Sequence, residues 1–280
     1  MAAPLLLTKS YIPRVHASLV PRPHLIQQLD AVLDRKLALI SAPAGFGKTT
    51  ILSRWVRNRD SDDRPVRFAW LSLDKADNDP ARFLSYMLMS IQEIDPGIGR
   101  SELEAMKSAS FAKASGLPAL EEVLTPLINQ MATRLDSSPE PVGQLAEPIA
   151  PAVCGALVLV LDDYHVIEAQ TVHDALTFLL EHMPPRMHLA IATRTDPPLP
   201  VARLRGQGQV VELRQDDLVF TPEEASRFLN EVMGLHLPRE TVVALAARTE
   251  GWIAGLQMAA VSMQGRKDTD AFVRGFTGSD

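Results

Sequence analysis

The sequence predicts an α/β protein in which a doubly wound parallel β-sheet is followed by a small helical subdomain. Three observations support this fold class: short apolar runs, helical patterns between them, and a purely helical C-terminal part. Most of the runs are continuously apolar rather than alternating, which is typical of strands covered by helices on both faces. The five predicted strands lie at residues 37–41, 66–73, 156–161, 188–193 and 209–213.

Helical patterns separate these strands along the chain. The clearest lies at residues 172–183, where apolar side chains recur at alternating spacings of three and one and form a single stripe. Further helices are predicted directly after Lys48 and at residues 80–94 and 119–135. Because strands alternate with helices, we expect the strands to be parallel.

The C-terminal part of the sequence changes character. Thr221 is a predicted N-cap, followed by Pro222 at the first helical position and by Glu224 three residues after the cap. Helices are predicted from this point at residues 222–233, 238–249 and 252–263. We therefore divide the chain into an N-terminal arm at 1–35, a core domain at 36–215 and a helical subdomain at 216–280.

Composition and charge exclude several classes of protein. Acidic residues outnumber basic ones by 34 to 28, so the chain lacks the broad cationic surface of a nucleic-acid-binding protein. Cys154 is the only cysteine and cannot form an internal disulfide or build a zinc site alone. No apolar stretch approaches the roughly 20 residues of a membrane span, and the N-terminus lacks a signal-peptide core. We expect a cytoplasmic protein without membrane contact.

The strongest motif is the segment SAPAGFGKTT at residues 41–50, after the first predicted strand. It matches the phosphate-binding pattern G-x-x-x-x-G-K-[ST], except that Ala42 occupies the first glycine position. Glycines in the loop let backbone amides turn towards phosphates, the lysine reaches the β and γ phosphates, and the threonine ligates magnesium. The predicted cofactor-binding residues of this P-loop are Ala42, Ala44, Gly45, Phe46, Gly47, Lys48, Thr49 and Thr50.

Charged residues follow two further strands of the predicted sheet. Asp162 and Asp163 follow the apolar residues of the segment LVLVLDDYH, and Arg194 follows the fourth strand. Ligands of open parallel sheets bind beyond the carboxyl ends of the strands, so these residues are expected beside the P-loop. We predict Asp162, together with Thr49, as the Mg²⁺ ligands of a nucleoside triphosphate site. The predicted catalytic residues are Asp162, Asp163 and Arg194. Asp162 would act through the metal, Asp163 would orient or deprotonate the attacking water, and Arg194 would contact the γ phosphate.

Two histidines lie close to this acidic pair. No cysteine or carboxylate spacing around His165 and His173 indicates a metal site, so we predict packing or solvent-exposed roles for both. The proline-rich segment 137–151 predicts an exposed loop.

Four separated motifs resemble the N-terminal ATPase module of the MalT-like regulators, which are large LuxR-type transcriptional activators of the STAND class of signal-transduction ATPases. The resemblance extends from about Leu5 to Asp280. The motifs are, in order, the arm LLLTKSYIPR…LVPRPHLI, the loop APAGFGKTT, the strand LVLVLDDYH and the segment TEGWIAGLQ at 249–257.

The resemblance implies a molecular switch. In this family ADP holds a closed resting form, ATP with an inducer favours an open form that self-associates, and hydrolysis resets the switch. It also implies that Arg22 lies near the nucleotide base and that Arg194 occupies a sensor position. Family members continue through a winged-helix segment, a helical-repeat sensor and a DNA-binding helix-turn-helix. Residues 275–280 resemble the entrance to the winged helix, so we expect no direct DNA binding by this chain.

Two alternatives to an ATP-hydrolysing regulatory domain remain open from the residues themselves. One is a phosphotransferase that uses the same loop to phosphorylate a small-molecule hydroxyl. The other is a binding module in which the nucleotide holds the fold together without being hydrolysed. Asp163 adjoining Asp162 favours water activation over phosphoryl transfer, and phosphate release distinguishes an ATPase from a binding module.

Overall fold

Five parallel strands form one sheet in the computed structural model, which describes residues 6–15, 18–59, 66–106, 117–136 and 155–264. Their order across the sheet is β2-β3-β4-β1-β5. The five predicted strands and their parallel arrangement are confirmed, with ends that differ by at most one residue. The strands are β1 (Leu37–Ser41), β2 (Val66–Ser72), β3 (Ala156–Asp162), β4 (Met187–Thr193) and β5 (Val210–Arg214).

Helices connect the strands, and further helices come after the last strand in the sequence. The helices before β3 are α1 (Pro23–Asp30), α2 (Lys48–Arg59), α3 (Pro80–Gln92), α4 (Arg100–Met106) and α5 (Leu117–Asp136). Those after β3 are α6 (Gln170–His182), α7 (Val201–Gly206), α8 (Gln215–Leu218), α9 (Pro222–Arg227), α10 (Arg239–Arg248) and α11 (Ile253–Met263). Short 3-10 helices occur at Leu7–Ser10, Ala31–Asp34, Lys75–Asn78 and Tyr164–Val166.

Both faces of the sheet are covered, which explains why most of the strands are continuously apolar. Along β3, Leu157, Leu159 and Leu161 pack into a core with α3, α5 and α6. Val158 and Val160 point to the opposite face and pack with α1 and α2. Since each fully buried aliphatic side chain contributes about 1.5–3 kcal/mol, this two-sided burial holds the ends of the strands in place.

A third apolar core lies among the C-terminal helices. It contains Phe220, Leu229, Leu245 and Leu256 and also Val20 from the N-terminal arm. The predicted start of α9 is confirmed: the Thr221 side chain accepts a hydrogen bond from the Glu224 amide, and the Glu224 carboxylate accepts one from the Thr221 amide. The domain boundaries at residues 35 and 215 stay predictions.

One predicted helix is not regular. The segment 222–233 was expected to be a single α-helix, but α9 ends at Arg227 and a π-helix follows at Phe228–Val232. The prediction was wrong here because tertiary contacts override local propensity. The Asn230 side chain pairs with the backbone of Leu237, and Phe228 packs edge-on against Phe220. Single π-turns often occur at functional sites.

Several sequence features fall outside the described residues: the proline-rich segment 137–151, Cys154 and the expected winged-helix entrance at 275–280. Within the part of the chain that the structure describes, no helix is long and apolar enough to cross a bilayer. Within the same part, no group of three His, Cys, Asp or Glu side chains is arranged to hold a metal ion.

Candidate functional site

Three loops meet at the carboxyl edge of the sheet. The P-loop follows β1, and Arg194 follows β4. Asp162 is the last residue of β3, and Asp163 comes directly after it. Because β3, β4 and β1 are neighbours, the topology itself brings these loops together. The backbone joins two of them, since the Ala42 amide donates to the Thr193 carbonyl at 3.3 Å. The structure therefore assembles the charged residues predicted for one site.

The backbone of the P-loop has the shape of an anion cradle. Gly45 and Gly47 adopt φ angles of 80° and 76°, which favour glycine because other side chains are strained there. The amide N–H groups of Gly45, Phe46 and Gly47 have no acceptor among the described residues. Ala42, which replaces the first glycine of the pattern, is buried with 2% of its surface exposed. Its methyl group is accommodated at the end of β1.

Lys48 lies inside the loop. Its ammonium donates to the carbonyl oxygens of Ala42 and Pro43 at 2.7 and 2.8 Å, and the residue is only 8% exposed. Burial lowers the pKa of Lys48, the charge of Asp163 opposes this, and the charge of Arg194 adds to it. The lysine is thus a buried cation within the electric field of Asp162, Asp163 and Arg194.

The hydroxyl of Thr49 donates to Asp162 Oδ1 at 3.0 Å. Asp162 is 3% exposed, and burial raises its pKa to about 6, although the hydrogen bond from Thr49 works in the opposite direction. The Asp163 amide donates to the same oxygen at 3.1 Å. A buried carboxylate beside a hydroxyl provides the hard oxygen ligands that a divalent cation prefers, and a cation would offset the cost of the buried charge.

Asp163 and Arg194 are exposed at the same edge. Asp163 has a left-handed backbone, with φ of 58°, and its side chain is 53% exposed. Arg194 is carried by a turn in which the Thr193 hydroxyl donates to the Thr195 carbonyl at 2.7 Å. The Arg194 charge lowers the pKa of both Lys48 and His165, which places it in the same electrostatic environment.

A cavity of about 400 Å³ adjoins the P-loop. Phe46, Gly47 and Thr50 form one wall, while the arm, the π-helix and the start of α11 form the others. Arg22, expected near the base, also lines this cavity. Its guanidinium is engaged in the wall, however, with hydrogen bonds to Glu224 Oε1 and to the backbone oxygens of 217–219 at 2.8–3.0 Å.

The sequence did not reveal that the segment 249–257 contacts the P-loop. The Trp252 indole donates to the Ala44 carbonyl at 3.0 Å, and the Ala254 amide donates to the Gly45 carbonyl at 3.1 Å. The start of α11 therefore holds the P-loop from outside. Residues separated by more than 200 positions make these contacts, so no local pattern in one sequence could have predicted them.

Replacing Gly45 by alanine tests this contact. A Cβ at Gly45 would lie 2.6 Å from both Ala254 Cβ and Trp252 Nε1, in addition to the positive φ. We expect a loss of about 2–4 kcal/mol in the free energy of unfolding, from strain and overpacking together. Gly208 is the matched control: its φ is +66° but nothing lies within 4 Å of an added Cβ, so Gly208→Ala should lose only about 1 kcal/mol. Equal losses in urea unfolding would contradict the contact.

The sheet order, the P-loop and the acidic strand end define the class of this protein, which has the α/β P-loop NTPase fold. Solved structures agree. The STAND protein with a tetratricopeptide repeat sensor from Pyrococcus horikoshii superposes with a TM-score of 0.52 at 16% identity, covering 98% of this chain and 34% of that one. The Walker-type ATPase of Pyrococcus abyssi gives a TM-score of 0.53 at 12% identity, covering 92% and 71%.

The solved structures show the fold, whereas curated relatives with higher sequence identity confirm the resemblance to MalT-like regulators. The HTH-type transcriptional regulator MalT of Vibrio cholerae is 32% identical over 252 residues, or 90% of this chain and 24% of the relative. The serine/threonine-protein kinase PknK of Mycobacterium tuberculosis is 33% identical over 262 residues, or 94% and 21%. No protein-family model matches the chain. The chain is thus a homologue of MalT and PknK and spans about a fifth to a quarter of their length.

Proposed function

We propose that this chain is an ATP-dependent switch module that binds ATP or ADP with Mg²⁺ and hydrolyses ATP slowly. The observation that carries the proposal is the pairing of Thr49 with Asp162 at 3.0 Å beside the buried Lys48. In P-loop NTPases a loop hydroxyl and an aspartate from a neighbouring strand hold the metal, while the loop lysine contacts the β and γ phosphates.

Each part of the nucleotide has a matching surface. The free amides of Gly45, Phe46 and Gly47, at the positive end of α2, suit the phosphates. Lys48 would exchange its two carbonyl partners for phosphate oxygens, which keeps the ammonium paired. The apolar cavity beside Thr50 suits the base and ribose, with Arg22 in its wall. The fit supports a nucleotide in preference to free phosphate alone.

Hydrolysis is assigned to the exposed residues of the site. Asp163 would accept a proton from water as the water oxygen bonds to the γ phosphorus and the bond to the β–γ bridging oxygen breaks. The products are ADP and phosphate. Arg194 would stabilise the negative charge that develops on the γ phosphoryl oxygens. When bound, Mg²⁺ supplies charge neutralisation, and Thr49 and Asp162 are the residues that would hold it.

The relatives suggest the context in which the module works. MalT is named as an HTH-type transcriptional regulator, and this chain matches about a quarter of it. We infer that the chain serves as the regulatory ATPase of such a protein in the cytoplasm. ATP would favour self-association of the full-length protein, as the family resemblance implies. The net charge of -6 supports a module that does not itself bind DNA.

Replacing Lys48 by alanine should weaken ATP binding about 10- to 100-fold. The reason is the loss of a charge-assisted contact to phosphate, which contributes about 1.5–3 kcal/mol. Calorimetric titration of ATP into both chains, in the presence of Mg²⁺, measures the two dissociation constants.

Lys36 provides the matched control for this experiment. Its ammonium also donates to two carbonyl oxygens, those of Leu180 and Glu181 at 2.7 and 3.1 Å, but it precedes β1 and so lies at the opposite edge of the sheet. We expect Lys36→Ala to bind ATP with the parental affinity. Parental affinity in Lys48→Ala would contradict the assignment of the P-loop.

A further inference from the structure

His165 has a feature that packing does not explain. Its side chain is 17% exposed, and its Nδ1 atom is buried without a hydrogen-bond partner among the described residues. Nδ1 lies 3.8 Å from Asp163 Oδ1. Buried polar atoms are nearly always paired, so an unpaired one beside a predicted catalytic carboxylate points to a role in the site.

The turn that carries both residues is held from two sides. The Asp163 carbonyl accepts from the Val166 amide at 3.1 Å, which closes the 3-10 turn. The Tyr164 side chain points the other way, into the core, where its hydroxyl forms a 2.6 Å hydrogen bond with His173 Nδ1. His173 is 3% exposed, so of the two roles predicted for it, packing or solvent exposure, the structure shows packing. With Tyr164 anchored, Asp163 and His165 remain at the edge where the P-loop lies.

The charges around His165 favour a neutral imidazole. Burial lowers its pKa, the positive charges of Arg194 and Lys48 lower it further, and Asp163 opposes them. These three residues are the charged groups that act on the ring from the turn, β4 and the P-loop. A neutral imidazole has one N–H group, and the tautomer with hydrogen on Nδ1 makes His165 a donor towards Asp163.

We propose that His165 is a positioning residue for hydrolysis, which donates from Nδ1 to the Asp163 carboxylate and fixes its orientation towards the attacking water. This inference rests on the proposed function. Hydrogen bonds in active sites are often long until substrate binds, and the exposed Asp163 side chain is free to close the 3.8 Å separation. The role differs from the packing or solvent role that the sequence predicted for His165.

Three substitutions of His165 separate a donor at Nδ1 from other effects. The amide nitrogen of His165→Asn can take the place of Nδ1, whereas that of His165→Gln reaches the place of Nε2, and His165→Ala has no donor. We expect the single-turnover rate constant for phosphate release to fall about 10- to 100-fold in the alanine and glutamine variants and to stay within a few-fold in the asparagine variant. The dissociation constant for ATP should be unchanged in all three, which also verifies that they fold.

His182→Ala is the matched control, because His182 is exposed on α6 with its Nδ1 paired to the Phe178 carbonyl. It should keep the parental rate. Each rate is best measured in a single turnover of radiolabelled ATP, which resolves slow hydrolysis. Rate loss in His165→Asn as large as in His165→Ala would overturn the inference.

A double-mutant cycle with Asp163→Asn distinguishes positioning from a structural role. If His165 acts through Asp163, adding His165→Ala to Asp163→Asn slows hydrolysis no further. Multiplied losses would overturn the inference, as would parental hydrolysis by His165→Ala. Either of these two results would still be compatible with the proposed ATP-binding and ATP-hydrolysing function. A parental chain that binds ATP but releases no phosphate would instead overturn hydrolysis itself, and the inference with it.

Discussion

Replacing Asp162 by asparagine is expected to stabilise the chain in the absence of Mg²⁺ and nucleotide. Asp162 is 3% exposed, and burial raises its pKa from 3.8 to about 6, so its charge is costly in the folded state. A shift of this size corresponds to about 2–3 kcal/mol at neutral pH. The asparagine side chain keeps an oxygen to accept from Thr49 and from the Asp163 amide. The gain therefore comes without loss of these hydrogen bonds.

The pH dependence of this gain has a defined sign. Because the folded pKa lies above the unfolded one, the parent and the variant should be equally stable below about pH 4. The parent then loses stability relative to Asp162→Asn as the pH rises to about 6, and the difference is constant above that. Urea unfolding of both chains from pH 4 to 8 with a chelator measures it. A variant less stable than the parent at pH 7.5 would show that the buried charge of Asp162 does not destabilise the folded chain.

Asp95 is the matched control for the same chemical change. It is also 3% exposed, but its carboxylate accepts from Arg134 Nη1 at 2.6 Å and from the Gly97 amide at 2.8 Å. Asp95→Asn removes the negative partner of an arginine, so it should destabilise the chain by about 1–3 kcal/mol. If the free energy of unfolding rises in Asp162→Asn and falls in Asp95→Asn, the two buried aspartates differ: Asp95 belongs to a structural ion pair, and Asp162 belongs to a site that needs a cation.

The stabilised variant should lose the response to Mg²⁺. In the parent, Mg²⁺ with ATP is expected to raise stability further, because the cation offsets the buried charge of Asp162. A neutral amide is a weaker ligand for Mg²⁺ than a carboxylate, so Asp162→Asn should gain much less from Mg²⁺ at a given ATP concentration. Loss of function with a gain in stability is typical of residues that serve a ligand.

Replacing Asp163 by asparagine should slow hydrolysis by about 10²- to 10⁴-fold and leave nucleotide affinity unchanged. The variant keeps the shape of the side chain but cannot accept a proton from water. We expect affinity to be preserved because the predicted phosphate contacts come from Lys48 and the loop amides, whereas the Asp163 side chain is 53% exposed. Single-turnover phosphate release and calorimetric titration measure the two quantities separately.

Asp174→Asn serves as the control for this second experiment. Asp174 lies on α6 and its carboxylate accepts from Gln170, four residues earlier on the same helix. Its replacement should leave both the rate and the affinity at parental values. Hydrolysis at the parental rate in Asp163→Asn would show that another group activates the water.

Local signals explain most of what the sequence could predict. Strands buried on both faces need continuous apolar runs, and β3 is such a run, so its position and parallel pairing followed from the sequence. The P-loop could also be predicted, because Gly45, Gly47 and Lys48 lie within a few residues of one another and form a local motif. Strand ends then brought Asp162 and Arg194 to the same edge.

Long-range contacts explain what the sequence missed. The hydrogen bonds of Trp252 to the P-loop and of Arg22 to residues 217–219 each join parts of the chain about 200 residues apart. The π-helix at Phe228–Val232 depends on packing and on the Asn230 side chain. His165 has no distinguishing pattern in sequence, and its importance emerges only from burial and from its distance to Asp163.

Thermal unfolding of the purified chain with and without Mg²⁺-ATP or Mg²⁺-ADP, alongside Lys48→Ala, shows whether the P-loop binds a nucleotide. At about 100 times its dissociation constant, a ligand adds about 2.7 kcal/mol, which raises the melting temperature of a chain of this size by several degrees. We predict this shift in the parent and a clearly smaller one in Lys48→Ala. Identical melting temperatures with and without nucleotide, in a parental chain verified to be nucleotide-free at the start, would contradict it.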